Sequence, residues 1–280
     1  MSDADYFSDQ YAINAYMDSR IPIDVKKAKA EHKAIREALE EAGIRVVQVP
    51  APVDCQDGVY TANWALGRGD KMLLSFLPNN RRPETPYAKK VPQEQGKTIL
   101  KLPKRLNFSG QGDALPCGKY LFAGTNYRTD YRAHRYIQEM LGYEVITLQT
   151  VPKRHWFGLG SRYINKETSW PDSYYYDIDL ALAVLRKDLI AYCPQAFIPE
   201  SRKLLESLPI KKIKVSQREA KKGFACNLVS TGETVIMSAF APKLQKAIEA
   251  HGLQAITPVV TELGKGGGYI RCITLTLDND

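Results

Sequence analysis

The sequence predicts an α/β fold in which five copies of one structural unit close into a ring. Three observations lead there: a recurring helix–breaker–strand pattern, a second pattern of polar motif followed by apolar strand, and near-constant spacing of those motifs. The first unit breaks its helix at Gly43 and continues into the β-rich run 44–49. The second breaks at Gly96 before 98–102, and the third at Gly142 before 143–148. The fourth breaks at Leu208-Pro209 before 210–215, and the fifth at Gly252 before 253–260. Glycine suits a helix exit because the left-handed conformation costs it little. The intervals are 53, 46, 67 and 43 residues, so the third carries extra chain. The aromatic, helix-poor stretch 155–176 accounts for that insertion.

Between these copies, apolar strands are expected at 72–77, 119–123, 189–193, 234–237 and 273–277, each preceded by a polar motif. Within the motifs, Asn63, Asp113, Asp179, Asn227 and Cys272 are separated by 50, 66, 48 and 45 residues. Equivalent positions of a closed ring converge on its axis, so one site there is expected. The reading is a single domain over 1–280, with the inserted loop at about 155–176 and no linker.

Composition narrows the function class. With 44% hydrophobic and 25% charged residues the chain is globular in character. No apolar run is long enough for a membrane span, and the acidic, polar start is unlike a signal peptide. The net charge of +8 invites a nucleic-acid reading, but the basic residues are dispersed in separate stretches. No nucleic-acid and no membrane partner is expected. Five single cysteines, with no paired spacing, suggest reduced thiols in the cytoplasm, neither a disulfide framework nor a zinc site. No cofactor or metal is expected, and self-association into a homo-oligomer is left open.

The motifs carry a resemblance running from about residue 6 to 277. Its markers are Tyr-Ala-Ile-Asn ending at Asn14, Thr-Ala-Asn ending at Asn63, the Asn80 to Glu84 motif, and residues 108–115. Further markers are Arg-Thr-Asp ending at Asp130, 177–185, 225–228 and 266–274. In this order they resemble the pentein superfamily of guanidino-group-modifying enzymes, a pseudo-fivefold α/β propeller of ββαβ units. The arginine dihydrolase and dimethylarginine dimethylaminohydrolase branch is the most similar, with the amidinotransferases more distant. The resemblance implies that Cys272 attacks a planar guanidinium carbon as a thiolate. It implies a small guanidino or amidino substrate held by Asp57, Asn63, Asp113 and Asp179, whose oxygens suit a five-donor cation. Asn14 and Asn227 are further binding candidates, and Arg128 or Arg271 would take a substrate carboxylate.

Two positions depart from the pattern. Where the resemblance implies glutamate, the chain has Ser109, and where it implies the catalytic histidine it has Asp177. Asp177 and Asp179, two apart, could share a proton as a carboxylate dyad, or simply bind a cation. His155, in the glycine-hinged aromatic insertion, is the candidate replacement for the histidine. His32, His134 and His251 read as surface residues. Cys272 also has a plain reading as a core cysteine, and Asn63, Asn227 and Asp113 as turn formers. The functional expectation is cysteine-dependent hydrolysis or amidino transfer on arginine or a methylarginine. The alternatives are a non-catalytic pentein that binds a cationic metabolite, and an enzyme acting on a non-arginine substrate.

Overall fold

A computed structural model describes residues 1–103, 106–154 and 160–279. Four three-stranded sheets form four blades of one design. The first contains β1 (Ala65–Arg68), β2 (Lys71–Leu74) and β3 (Thr98–Leu100). The second contains β4 (Ala114–Cys117), β5 (Tyr120–Gly124) and β6 (Glu144–Leu148). The third contains β7 (Leu182–Arg186), β8 (Leu189–Tyr192) and β9 (Lys211–Lys214). The fourth contains β10 (Val229–Ser230), β11 (Thr234–Ile236) and β12 (Gln254–Ile256). In every blade the middle strand runs antiparallel to the first and parallel to the third. A parallel third strand requires a crossover, and a helix supplies it each time. The crossovers are α2 (Thr85–Glu94), α3 (Tyr131–Leu141), α4 (Pro199–Ser207) and α6 (Pro242–Ala250). The short α5 (Gln217–Lys222) links the third and fourth blades. This is the expected ββαβ unit.

Local chemistry explains the helix ends. Asp130 caps α3 by accepting the Arg132 N–H, and Gly142 ends it at φ 73°. Gly43, Gly96 and Gly252 also have positive φ, as the breaker reading requires. The middle strands are almost wholly apolar and buried, because both faces of each sheet are covered. Each fully buried large aliphatic side chain contributes roughly 1.5–3 kcal/mol.

The fifth unit differs. Its helix α1 (Val25–Glu41) is capped by Asp24 and buries Ala28, Glu31, His32, Ile35, Ala38 and Leu39. The flanking segments 44–49 and 273–277, both expected as strands, are not strands here. Among the described residues no middle strand lies between them to complete a ladder, and Ser2 bridges Val49 in parallel. Two histidine expectations are also corrected. His32 lies on the buried face of α1, only 4% exposed, and that burial lowers its pKa to about 4. His134 is buried between α3 and the second sheet, with its ring nitrogens 2.7 Å from Thr147 Oγ1 and 2.9 Å from the Gly124 carbonyl. Helical periodicity places both inward, a face that single-residue reasoning does not reveal. His251 is exposed, as expected.

Glu31 connects this unit to the C-terminal segment. Its carboxylate accepts the N–H groups of Thr261, Glu262 and Leu263, the opening of α7 (Glu262–Lys265). Glu31→Ala leaves those buried donors unsatisfied. Chemical denaturation should show a loss of about 2–4 kcal/mol; a loss below about 0.5 kcal/mol would show that the tie is unimportant.

Candidate active site

Each unit contributes one turn to the centre of the ring. Three are single 3₁₀ turns leading into the first strand of a blade: Thr61–Trp64, Gly110–Gly112 and Ile178–Leu180. The others are the loop at Asn227 and the turn ending at Cys272. Asn63, Asp113, Asp177, Asp179, Asn227 and Cys272 are each at most 2% exposed.

The thiol of Cys272 donates to Asp179 Oδ2 at 3.3 Å and receives the Asn227 Nδ2–H at 3.1 Å. Asn227 Oδ1 accepts the N–H groups of Tyr269 and Cys272, both at 3.1 Å, and so clamps the turn that carries the sulfur. Asn14 secures the preceding glycines, donating to the Gly266 carbonyl at 2.9 Å. A Cβ on Gly268 would lie 2.8 Å from that of Cys272, so the turn needs glycine there.

On the opposite side, Asn63 Nδ2 donates to Asp177 Oδ2 (2.8 Å), to Ser109 Oγ (2.9 Å) and to the Ser109 carbonyl (3.1 Å). Its amide orientation is fixed by Arg81, whose Nη1 donates to Asn63 Oδ1 at 2.7 Å. Arg81 is itself held by Glu84 and by the carbonyls of Asp57 and Tyr60. Ser109 therefore presents two short-range acceptors, its hydroxyl and its carbonyl, to the Asn63 amide. Asp113 Oδ1 accepts the Ile178 N–H at 3.0 Å, and a side chain at Gly124 would collide with this carboxylate. Arg128 lies 3.6 Å from Asp177 Oδ2 and stacks 3.9 Å above the Tyr176 ring, whose hydroxyl donates to the Gly267 carbonyl.

The sequence-derived candidates thus divide by location. Cys272, Asp113, Asp177, Asp179, Asn63, Asn227 and Arg128 are brought together. Asp57 sits behind Asn63, accepting from Gln56. The Arg271 guanidinium is bound to Gln111 Oε1 at 2.8 Å and to Thr274, although its charge still acts on Asp179. His155 lies outside the described residues. Sequence reasoning did not assign roles to Arg81, Glu84 and Gln111. The Asn80 to Glu84 motif held a signal, since arginine and glutamate three apart can pair on one helical turn.

Burial dominates the electrostatics. It raises Asp179 to about 8, with the Asp177 charge adding to it and Arg271 opposing. It raises Asp113 well above the carboxylate range, again with help from Asp177, and Asp57 to about 6. The Cys272 thiol is pushed up by burial and by the charges of Asp179 and Asp177. Asp113 Oδ2, Asp177 Oδ1, Asp179 Oδ1 and Arg128 Nη2 are buried without a hydrogen-bond partner among the described residues. Three acceptor oxygens beside a thiol suit a small planar cation with several N–H donors.

A carboxyl raised in the folded state binds more protons there than in the unfolded chain. The stability it confers is complete below the ordinary value of 3.8 and is lost as pH rises through about 8. The free protein should therefore melt at lower temperature at about pH 9 than at about pH 6, and Asp179→Asn should flatten that fall. Thermal denaturation across this range measures it; identical slopes for both proteins would refute the assignment.

Known proteins resemble this chain over nearly its whole length. The chain is 31% identical over 98% of its length to the bifunctional arginine dihydrolase/ornithine cyclodeaminase AgrE of Nostoc sp., and spans 37% of that protein's length. It is 30% identical over 97% of its length to the N(G),N(G)-dimethylarginine dimethylaminohydrolase of Mycobacterium tuberculosis, covering 83% of it. Among solved structures it is similar to the N-terminal domain of the cyanobacterial arginine dihydrolase ArgZ bound to product. There the TM-score is 0.87 at 29% identity, over 98% of this chain and 95% of that one. The fold is the pentein fold. Residues 5–278 match the family model for eukaryotic N,N dimethylarginine dimethylhydrolase, and the chain belongs to that family.

Proposed function

We propose that this protein is a cytoplasmic hydrolase of a small guanidino or amidino compound such as arginine or a methylarginine, with Cys272 as nucleophile. The observation that carries this reading is the contact of the Cys272 thiol with Asp179 and Asn227, beside three carboxylate oxygens lacking partners among the described residues. In this reading the 280 residues act as one domain, with the 155–176 segment inserted. The five cysteines, all free and buried, fit a reducing compartment.

The guanidinium places its N–H donors on Asp113, Asp177 and Asp179, satisfying their free oxygens. Its positive charge favours the thiolate, which resting Cys272 resists. The thiol proton passes to Asp179 Oδ2, along the hydrogen bond already present. Sulfur then adds to the guanidinium carbon, and one C–N bond breaks as the leaving nitrogen takes a proton. Water attacks the thioether carbon, the C–S bond breaks, and the thiol is restored. The net reaction consumes one water and yields an ureido product and ammonia or an amine.

The absent histidine makes Asp179 the proton carrier. The bound cation lets Asp179 ionise and take the thiol proton. Burial, which raises its carboxyl to about 8 in the free protein, lets it keep that proton at neutral pH until the leaving nitrogen takes it. Asp177 orients: it accepts from Asn63 and lies against Arg128. Arg128, with a free Nη2, is positioned for a substrate carboxylate.

A second reading, binding without turnover, is favoured by one observation: burial and two aspartates hold the thiol in its protonated form. The two readings separate on incubation with arginine, methylarginines and agmatine, following ammonia, ureido products and a covalent mass shift on Cys272. Hydrolysis predicts product, and a loss of at least ~10³-fold in kcat/KM for Cys272→Ser with little change in Tm. Asp179→Asn should lose about 10²-fold or more. A haloacetamidine should label Cys272 faster than the other four cysteines once it supplies the missing cation. Ligand-induced stabilisation without product or adduct would favour the binder.

A further inference from the structure

Arg271 directly precedes Cys272, and it is buried, with 9% of its surface exposed. Its hydrogen bonds end on neutral oxygens. Nη2 donates to Gln111 Oε1 at 2.8 Å, and Nη1 to the Thr274 carbonyl at 3.1 Å and to Thr274 Oγ1 at 3.3 Å. Two other buried arginines have carboxylate partners, Arg81 with Glu84 at 2.7 Å and Arg128 with Asp177 at 3.6 Å. Arg271 forms no ion pair among the described residues. A guanidinium withdrawn from water without a counterion is costly, and a neutral side chain could tie the same turns.

Gln111 fixes where that charge stands. It belongs to the 3₁₀ turn 110–112 that leads into Asp113, and Thr276 holds its side chain through both N–H and carbonyl, at 3.0 and 2.7 Å. Arg271 is thus a rigid cation clasped between the turn of Cys272 and the turn of Asp113. The anions that its charge meets are those of Asp179 and Cys272, the two groups joined by the 3.3 Å bond from Sγ to Oδ2. The other titratable groups facing this pair are Asp177, Asp113, Cys226 and the hydroxyls of Tyr16, Tyr60 and Tyr176. None of these is a cation. Burial holds the phenols and Cys226 in their protonated forms well beyond neutral pH, and Arg128 stands against Asp177.

We propose that Arg271 is a positioning residue for the reaction, a built-in counter-charge that stabilises the anion shared by Cys272 and Asp179. This rests on the reading of Cys272 as nucleophile. When the pair loses one proton to solvent, the remaining proton moves between Sγ and Oδ2, and the single negative charge sits on the other atom. A fixed cation beside both atoms favours that anion wherever the proton lies. The substrate's charge is lost as the guanidinium becomes a ureido group; that of Arg271 is not.

The test follows thermal denaturation of the ligand-free protein from about pH 6 to about pH 10. In the unchanged protein the fall in Tm runs through about pH 8, where Asp179 ionises. Arg271→Met removes the charge, so Asp179 keeps its proton to higher pH. The fall should then move up by at least ~0.5 pH unit, about a threefold change in proton affinity. Arg271→Lys should return it, and in an Asp179→Asn background Arg271→Met should cause no displacement. Gln111→Ala breaks the tie but keeps the charge, and should lower Tm alike at every pH. A parallel drop for Arg271→Met without displacement would overturn the proposal, as would an equal displacement by Gln111→Ala. Should Arg271→Met fail to fold, Arg271→Gln reads the same window; failure of both would mark a purely structural tie and overturn it too. No substrate enters this titration, so an absence of turnover would sink the hydrolase reading and leave the displacement to be judged by itself.

Discussion

Three buried aspartates and a thiol share the centre of this ring, and the surrounding structure exists to tolerate them. Charges removed from water repel strongly at low dielectric, and desolvation alone penalises each carboxylate. The fold answers with partial compensation. Asn63 and the Ile178 N–H each take one carboxylate oxygen, Arg128 stands against Asp177, and Arg271 lies close enough to act on Asp179. In the proposed function, a bound cation satisfies what is left. In that reading, a site fully neutralised from within would gain stability and lose affinity for the cation.

Rigid supports hold this arrangement. Arg81 and Glu84 form a buried ion pair whose remaining donors grip Asn63 and two carbonyls. Removing one partner would strand a buried charge, which is far costlier than the pair's net contribution. His134 ties α3 to the Gly124 carbonyl, beside the backbone that leaves room for Asp113. Because Nε2 must donate to that carbonyl, Nδ1 must accept from Thr147, and a single neutral tautomer is specified.

Much of the ring was legible in the sequence because it is written in repetition. The glycine exits and the spacing of Asn63, Asp113, Asp179, Asn227 and Cys272 located five units and their common centre. Side-chain direction was less legible. Arg271 precedes Cys272 in sequence, yet Gln111 and Thr274 draw its guanidinium to themselves. His32 and His134 were misread because burial on a helix depends on which face meets the core. The segments 44–49 and 273–277 have strand composition but no ladder, since a strand is defined by its neighbour and not by its residues alone. Ser109 and Asp177 were visible as departures, but their partnership through Asn63 depends on contacts 46 and 114 residues apart.

The clamps on the Cys272 turn reach across almost the whole chain. Asn14 bonds to Gly266 over a separation of 252 residues, and Glu31 to Glu262 over 231. Contacts of such range close late, after the loops they span have lost their freedom. A nascent chain can therefore assemble its second and third blades while the Cys272 turn is still unformed. The candidate site comes into being only when the first and last units meet, so closure of the ring is the step that assembles it.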